Sequence, residues 1–182
     1  MPKLAITGKG GVGKTTLAAL LAHLYALEGR TVLAVDADPD ANLASALGFP
    51  EKLVEEIAPI AELKDLIAER TGTQPGTFGG MFKLNPRVDD IPDRYAVSHQ
   101  GVRLLTLGTV DHGGSGCICP ESTLLRALMQ HLIIRRSEAI IMDMEAGLEH
   151  LGRATAGSMD AFIVVVEPGR RSIQTAKSVR RL

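Results

Sequence analysis

Nine residues near the start, GKGGVGKTT at positions 8–16, stand between one apolar run, LAIT, and a second, LAALLAHLYAL. Four glycines and two lysines make poor core, yet the runs on both sides have to be buried, so a strand, a tight turn and a helix must follow one another here. Gly8, Gly13, Lys14 and Thr15 satisfy the spacing G-x-x-x-x-G-K-[ST] of a phosphate loop. Glycines at 10, 11 and 13 let backbone N–H groups curl around an anion without Cβ clashes. The helix that opens near Lys14 adds the positive end of its dipole. Gly10, Gly11, Val12, Gly13, Lys14, Thr15 and Thr16 are therefore expected around a nucleotide's phosphates, with Lys14 on the β and γ groups and the Thr15 hydroxyl on Mg²⁺.

The same alternation continues down the chain. LAIT (4–7), TVLAV (31–35), VRLLTL (102–107), AIIMD (139–143) and AFIVVV (161–166) are nearly unbroken apolar runs, as parallel strands covered on both faces require. TLAALLAHLYALEG (16–29) keeps helical spacing and stops at Gly29; STLLRALMQHLI (122–133) is a second helix, with Ser122 as its expected N-cap. Strand and helix in turn predict an α/β fold, a doubly wound, mainly parallel sheet with helices on both faces, in one domain over 1–182. Residues 71–101, rich in Gly, Pro and charge with little periodicity, read as a surface insertion before the third strand.

Net charge is −1, too balanced for a dedicated nucleic-acid binder. The start MPKLAITG is no secretory leader, and no apolar stretch approaches the roughly 18 residues of a membrane span, so a cytoplasmic protein with neither nucleic acid nor membrane as partner is expected. In a reducing compartment Cys117 and Cys119, spaced C-I-C in a loop around 111–120 just before a helix, make a poor disulfide. Two thiolates are half of the four-coordinate soft site that Zn²⁺ or a similar ion prefers, and two subunits would complete it.

VDADPD (35–40) ends the second strand, where ligands gather in an open α/β sheet, and Asp143 follows four apolar residues. Asp36 and Asp38 alternate with Ala37 and share one side for as long as the strand persists.

The variant K-G-G-V-G-K-T-T resembles the deviant Walker A of the ATPases that include the nitrogenase iron protein, the MinD and ParA positioning ATPases and metal-centre maturation factors. That resemblance implies ATP as nucleotide, a homodimer, and a Lys9 that reaches the partner's phosphates in trans as a cationic finger. It makes Asp38 the first-switch carboxylate that orients or deprotonates the attacking water near Mg²⁺, Asp36 its support, and Asp143 the Walker B group that holds Mg²⁺ through water. MEAGLEH (144–150) takes the second-switch position, with Glu145 where relatives carry a small residue. DADPD, the C-x-C pair, MDMEAGLEH and VVEPGRRSIQT together are similar to the CooC-type maturation ATPases of carbon monoxide dehydrogenase. The implied function is an ATP-dependent metallochaperone that holds Zn²⁺ or Ni²⁺ between subunits and assists nickel insertion into that enzyme, its client. Members of that family extend beyond the SVRRL at which this chain stops, so the domain is expected to be truncated at its C-terminus, without the segment that reads the adenine base. Two other functions remain open: an Fe–S or redox carrier that uses the shared thiolates, and a positioning ATPase of the MinD or ParA kind.

Overall fold

A computed structural model describes residues 1–76, 81–109, 119–145 and 158–179. In chain order these form β1 (Lys3–Gly8), α1 (Lys14–Leu27), β2 (Val32–Ala37), α2 (Leu43–Ala46), α3 (Glu51–Val54), a 3₁₀ turn (Ile60–Glu62), α4 (Lys64–Thr71), α5 (Ile91–Tyr95), β3 (Val97–His99), β4 (Val102–Thr106), α6 (Pro120–Arg135), β5 (Ala139–Met144), β6 (Ala161–Val165) and α7 (Arg170–Val179). The sheet runs β3-β4-β2-β5-β1-β6 and is parallel except at β3. Its five parallel strands are the five apolar runs of the sequence. The doubly wound α/β architecture is the one expected.

Those runs are unbroken because both faces are covered. Along β2, Val32 and Ala34 face the side of α1 and α2, while Leu33 and Val35 face that of α4, α5 and α6. Ala18, Ala19 and Ala22 form the buried face of α1, and side chains this small let the helix lie close to the sheet. The helix stops as expected, with Gly29 in the left-handed region at φ 76° and Arg30 N–H closing back on Tyr25 O. On α6, Leu124, Leu128 and Leu132 recur every four residues and are fully buried, each worth about 1.5–3 kcal/mol of burial.

Two expectations need correction. The cap of α6 is Cys119, not Ser122: Pro120 occupies the first helical position, where its missing N–H costs nothing, and the Cys119 sulfur accepts the Ser122 N–H. The described part of 71–101 is more than a surface insertion. Val88, Ile91 and Pro92 are buried, and β3 adds an antiparallel edge strand through a two-residue turn at Gln100 and Gly101, both at positive φ. A three-residue strand is too short to show period, and Gln-Gly is a weaker signal than Asn-Gly for a turn of this twist. Among the described residues no helix is long and apolar enough to cross a membrane.

Candidate functional site

The C-terminal ends of β1, β2 and β5 meet at one edge of the sheet. β1 hands over to the phosphate loop at Gly8, where a Cβ would collide with the Val165 carbonyl of β6, so only glycine fits. Gly13, the N-cap of α1, is held at φ 94°, a left-handed conformation that sets Lys14 as the first helical residue. A Cβ on Gly10, Gly11 or Gly13 would meet nothing within 4 Å, so the cradle in front of the α1 N-terminus is open, and Gly11 and Gly13, at φ 78° and 94°, serve conformation. Val12 and Thr15 are half-buried and Thr16 is exposed.

Lys14 is buried, and its ammonium lies 3.6 Å from Asp38 Oδ2 and donates to the Lys9 carbonyl at 3.5 Å. β2 ends at Ala37, so Asp38 belongs to the following turn rather than to the strand. Asp38 Oδ1 accepts the Asp40 N–H at 3.1 Å, the Asp38 carbonyl accepts the Ala41 N–H at 3.1 Å, and Ala41 sits at φ 45°. Asp36, still on the strand, has different partners from Asp38. Its carboxylate accepts the Asp38 N–H at 3.2 Å and the Leu43 N–H at 2.9 Å. Burial pushes the Asp36 carboxyl up to about 6, against the pull of those two N–H groups.

Asp143 on β5 is the register partner of Asp36 on β2 and is fully buried. Neither of its oxygens has a hydrogen-bond partner among the described residues. Burial raises its carboxyl above the usual range, and the neighbouring Thr15 hydroxyl and Lys14 charge draw it partly back. A buried carboxylate with no bonded partner is costly unless something else completes it. Beside it Thr7, also buried, donates its hydroxyl to the Glu145 carbonyl at 3.1 Å and so fixes the chain just after β5.

Lys9 extends outward, its ammonium 3.4 Å from Glu167 Oε1, with both side chains about half exposed. Glu167 is in turn placed by its own N–H, which donates to Ser172 Oγ at 3.1 Å. Cys119 is half-buried at the start of α6; its thiol donates to Ser122 Oγ at 3.1 Å. Cys117, the rest of the loop at 111–118 and Gly147 of the second switch lie outside the described residues. The structure thus brings Lys14, Asp38, Asp36, Asp143 and Thr15 together. Thr7 and Glu167 escaped the sequence reading: a threonine ending a strand has no local signature, and Glu167 meets Lys9 across 158 positions.

The donor set fits Mg²⁺. Thr15, Asp38 and Asp143 all carry hard oxygen donors, and the Asp143 carboxylate, without a hydrogen-bond partner within 3.5 Å among the described residues, is a buried charge that a cation or its waters would satisfy.

Comparison with known proteins places this geometry. The family of CobQ/CobB/MinD/ParA nucleotide-binding domains matches residues 3–180. The carbon monoxide dehydrogenase accessory protein CooC of Rhodospirillum rubrum is 51% identical over 99% of this chain and 68% of its own length. An uncharacterized ATP-binding protein of Methanocaldococcus jannaschii is 48% identical over the same shares. Cobyrinic acid a,c-diamide synthase from Mycobacterium smegmatis, solved with bound ADP and magnesium, superposes with a TM-score of 0.59 at 21% identity, covering 100% of this chain and 69% of the other.

Proposed function

Because this chain belongs to the CobQ/CobB/MinD/ParA family of nucleotide-binding domains, and with it to the phosphate-loop ATPases, we propose that it is the accessory ATPase of a carbon monoxide dehydrogenase, coupling ATP hydrolysis to delivery of nickel. The observation that carries this reading is the likeness to the Rhodospirillum rubrum accessory protein along nearly the whole chain. ATP is held by the loop at 10–16. The Lys14 ammonium, 3.6 Å from Asp38 Oδ2, serves the β and γ phosphates, and the Asp38 carboxylate beside it aligns a water and takes its proton. The water oxygen bonds to the γ-phosphorus as the bond to the bridging oxygen breaks, giving ADP and inorganic phosphate. Thr15, Asp38 and, through water, Asp143 would hold Mg²⁺, which would supply positive charge against the phosphates.

In this proposal Lys9 leaves Glu167 and reaches the partner's nucleotide, so turnover needs a homodimer. Cys117 and Cys119 from each subunit then supply four thiolates for Zn²⁺ or Ni²⁺ as cargo. The exposure of Lys9 and the half-exposed position of Cys119 at a helix start support both roles.

Native mass spectrometry with Zn²⁺ or Ni²⁺, beside the double variant Cys117→Ser, Cys119→Ser, tests the metal role. The expected result is one metal per dimer, lost in the variant. A protein that binds no metal and whose assembly ignores both cysteines overturns it, and iron with acid-labile sulfide and a visible absorption band points instead to an Fe–S carrier.

A further inference from the structure

We propose that Asp36 is a positioning residue of the hydrolysis: its buried carboxylate closes the mouth of the turn at 38–42 by accepting an N–H from each end, and so fixes where the Asp38 carboxylate points. The inference rests on Asp38 being the group that handles the attacking water. Asp38 cannot hold itself in place. It follows the last strand residue, Ala37, and its turn is closed internally only by the Asp40 and Ala41 N–H bonds, which would travel with the turn as a unit. Besides the Lys14 ammonium 3.6 Å from its carboxylate, what ties that unit to the sheet is Asp36, one oxygen on the Asp38 N–H at 3.2 Å and the other on the Leu43 N–H at 2.9 Å. Leu43 opens α2 and is itself fully buried against the sheet, so the far end of the turn is anchored through the same carboxylate. Asp36 in turn is held rigidly: its backbone carbonyl accepts the Leu107 N–H at 2.8 Å, and its strand lies between β4 and β5. Both Asp36 oxygens are thus engaged by backbone N–H groups at hydrogen-bond distance, whereas among the described residues Asp143 has only the looser influence of Thr15 and of the Met144 N–H.

Asp36→Asn tests this. Asparagine keeps one acceptor oxygen and turns an NH₂ toward the second backbone N–H, so one tether is lost at nearly constant volume. A misplaced reacting group costs on the order of 10-fold to 100-fold in rate. The expected result is a kcat reduced by about that factor, with KM for ATP and the Mg²⁺ concentration for half-maximal activity within about threefold of wild type. Amide exchange at Leu43 in the nucleotide-free protein should speed up by roughly tenfold or more, because a tethered N–H is released. Unchanged exchange at 38–43, or a loss that shows as a raised Mg²⁺ requirement with kcat restored at saturation, overturns the proposal. Should Asp36→Asn fail to fold, Pro39→Gly loosens the same turn with Asp36 intact and is expected to lower kcat at constant KM; an unchanged kcat there overturns it. Asp38→Asn serves as the control on the underlying reading. If that variant keeps full kcat, Asp38 does not handle the water, while the exchange measurement still decides whether Asp36 holds the turn.

Discussion

The two ends of the parallel sheet treat charge in opposite ways. At the N-terminal end the ammonium of Lys3 donates to the carbonyls of Leu132, Arg136 and Glu138 at 3.4, 2.6 and 3.0 Å, which caps the C-terminus of α6. Around it Arg103 and Arg136 both pair with Glu138 and with Asp93, at 2.6–2.9 Å. Those guanidinium groups hold Asp93 far below the usual carboxylate range, Arg136 foremost. At the C-terminal end, among the described residues, Asp143 has no hydrogen-bonded oxygen and Lys14 makes long contacts of 3.5 and 3.6 Å. The same strands carry both ends: β1 runs from Lys3 to Gly8, and β5 leads from Glu138 to Asp143. Between these two positions the contrast is direct: the Lys3 ammonium is met by three carbonyls, and the Asp143 carboxylate is left short of partners at the edge where the phosphate loop opens.

Two lysines make the sharpest test of that contrast. Lys14→Met should weaken ATP binding on the order of 10²–10³-fold, read by calorimetry, while thermal stability without nucleotide stays near wild type. Lys3→Met should do the reverse: three carbonyls lose their donor, stability falls by about 1–3 kcal/mol and Tm by roughly 2–10 °C, with ATP affinity of the folded protein unchanged. A Lys3 variant that binds ATP poorly while melting normally would break the comparison. Next in size, Asp143→Asn removes a buried charge without a bonded partner, so nucleotide-free stability should hold or rise by about 1 kcal/mol, while the Mg²⁺-dependent part of stabilisation by ATP disappears. A clear drop in the Tm of the nucleotide-free variant would show that Asp143 is structural after all.

The smallest effect concerns acid. On the paired rim, the Arg70 guanidinium beside Asp90, with help from Arg94, draws that carboxyl down to about 2. A depressed folded-state value means stability present above the unfolded value near 4 and lost as pH falls toward about 2. The stability difference between wild type and Asp90→Asn, at most about 1 kcal/mol for a pair still in reach of solvent, should be full at pH 5 and vanish near pH 2 in denaturant titrations. A difference independent of pH would mean that packing, not charge, is what Asp90 supplies.

How much was legible follows the range of each interaction. The phosphate loop, the five parallel strands and the ends of α1 lie in contiguous residues whose steric and solvation demands are satisfied or violated locally, so glycine spacing and apolar runs were sufficient to find them. The short edge strand β3 was missed because three residues carry no period, and the α6 cap was misplaced because a cysteine sulfur has little precedence over a serine hydroxyl in sequence. The site itself divides the same way. Lys14 and Thr15 are fixed by their own motif, whereas the distinction between Asp36 and Asp143 appears only once they stand side by side.

By itself, then, the sequence determined the five parallel strands, the two long helices and the phosphate cradle with the residues available to it, because backbone conformation at glycine and burial of an apolar run are settled within a few residues. Only the tertiary structure decided which charges meet. The order β3-β4-β2-β5-β1-β6 puts Asp36 against Asp143, Lys3 under the end of α6 and Lys9 beside Glu167, and the energy of each pairing depends on neighbours more than a hundred positions away.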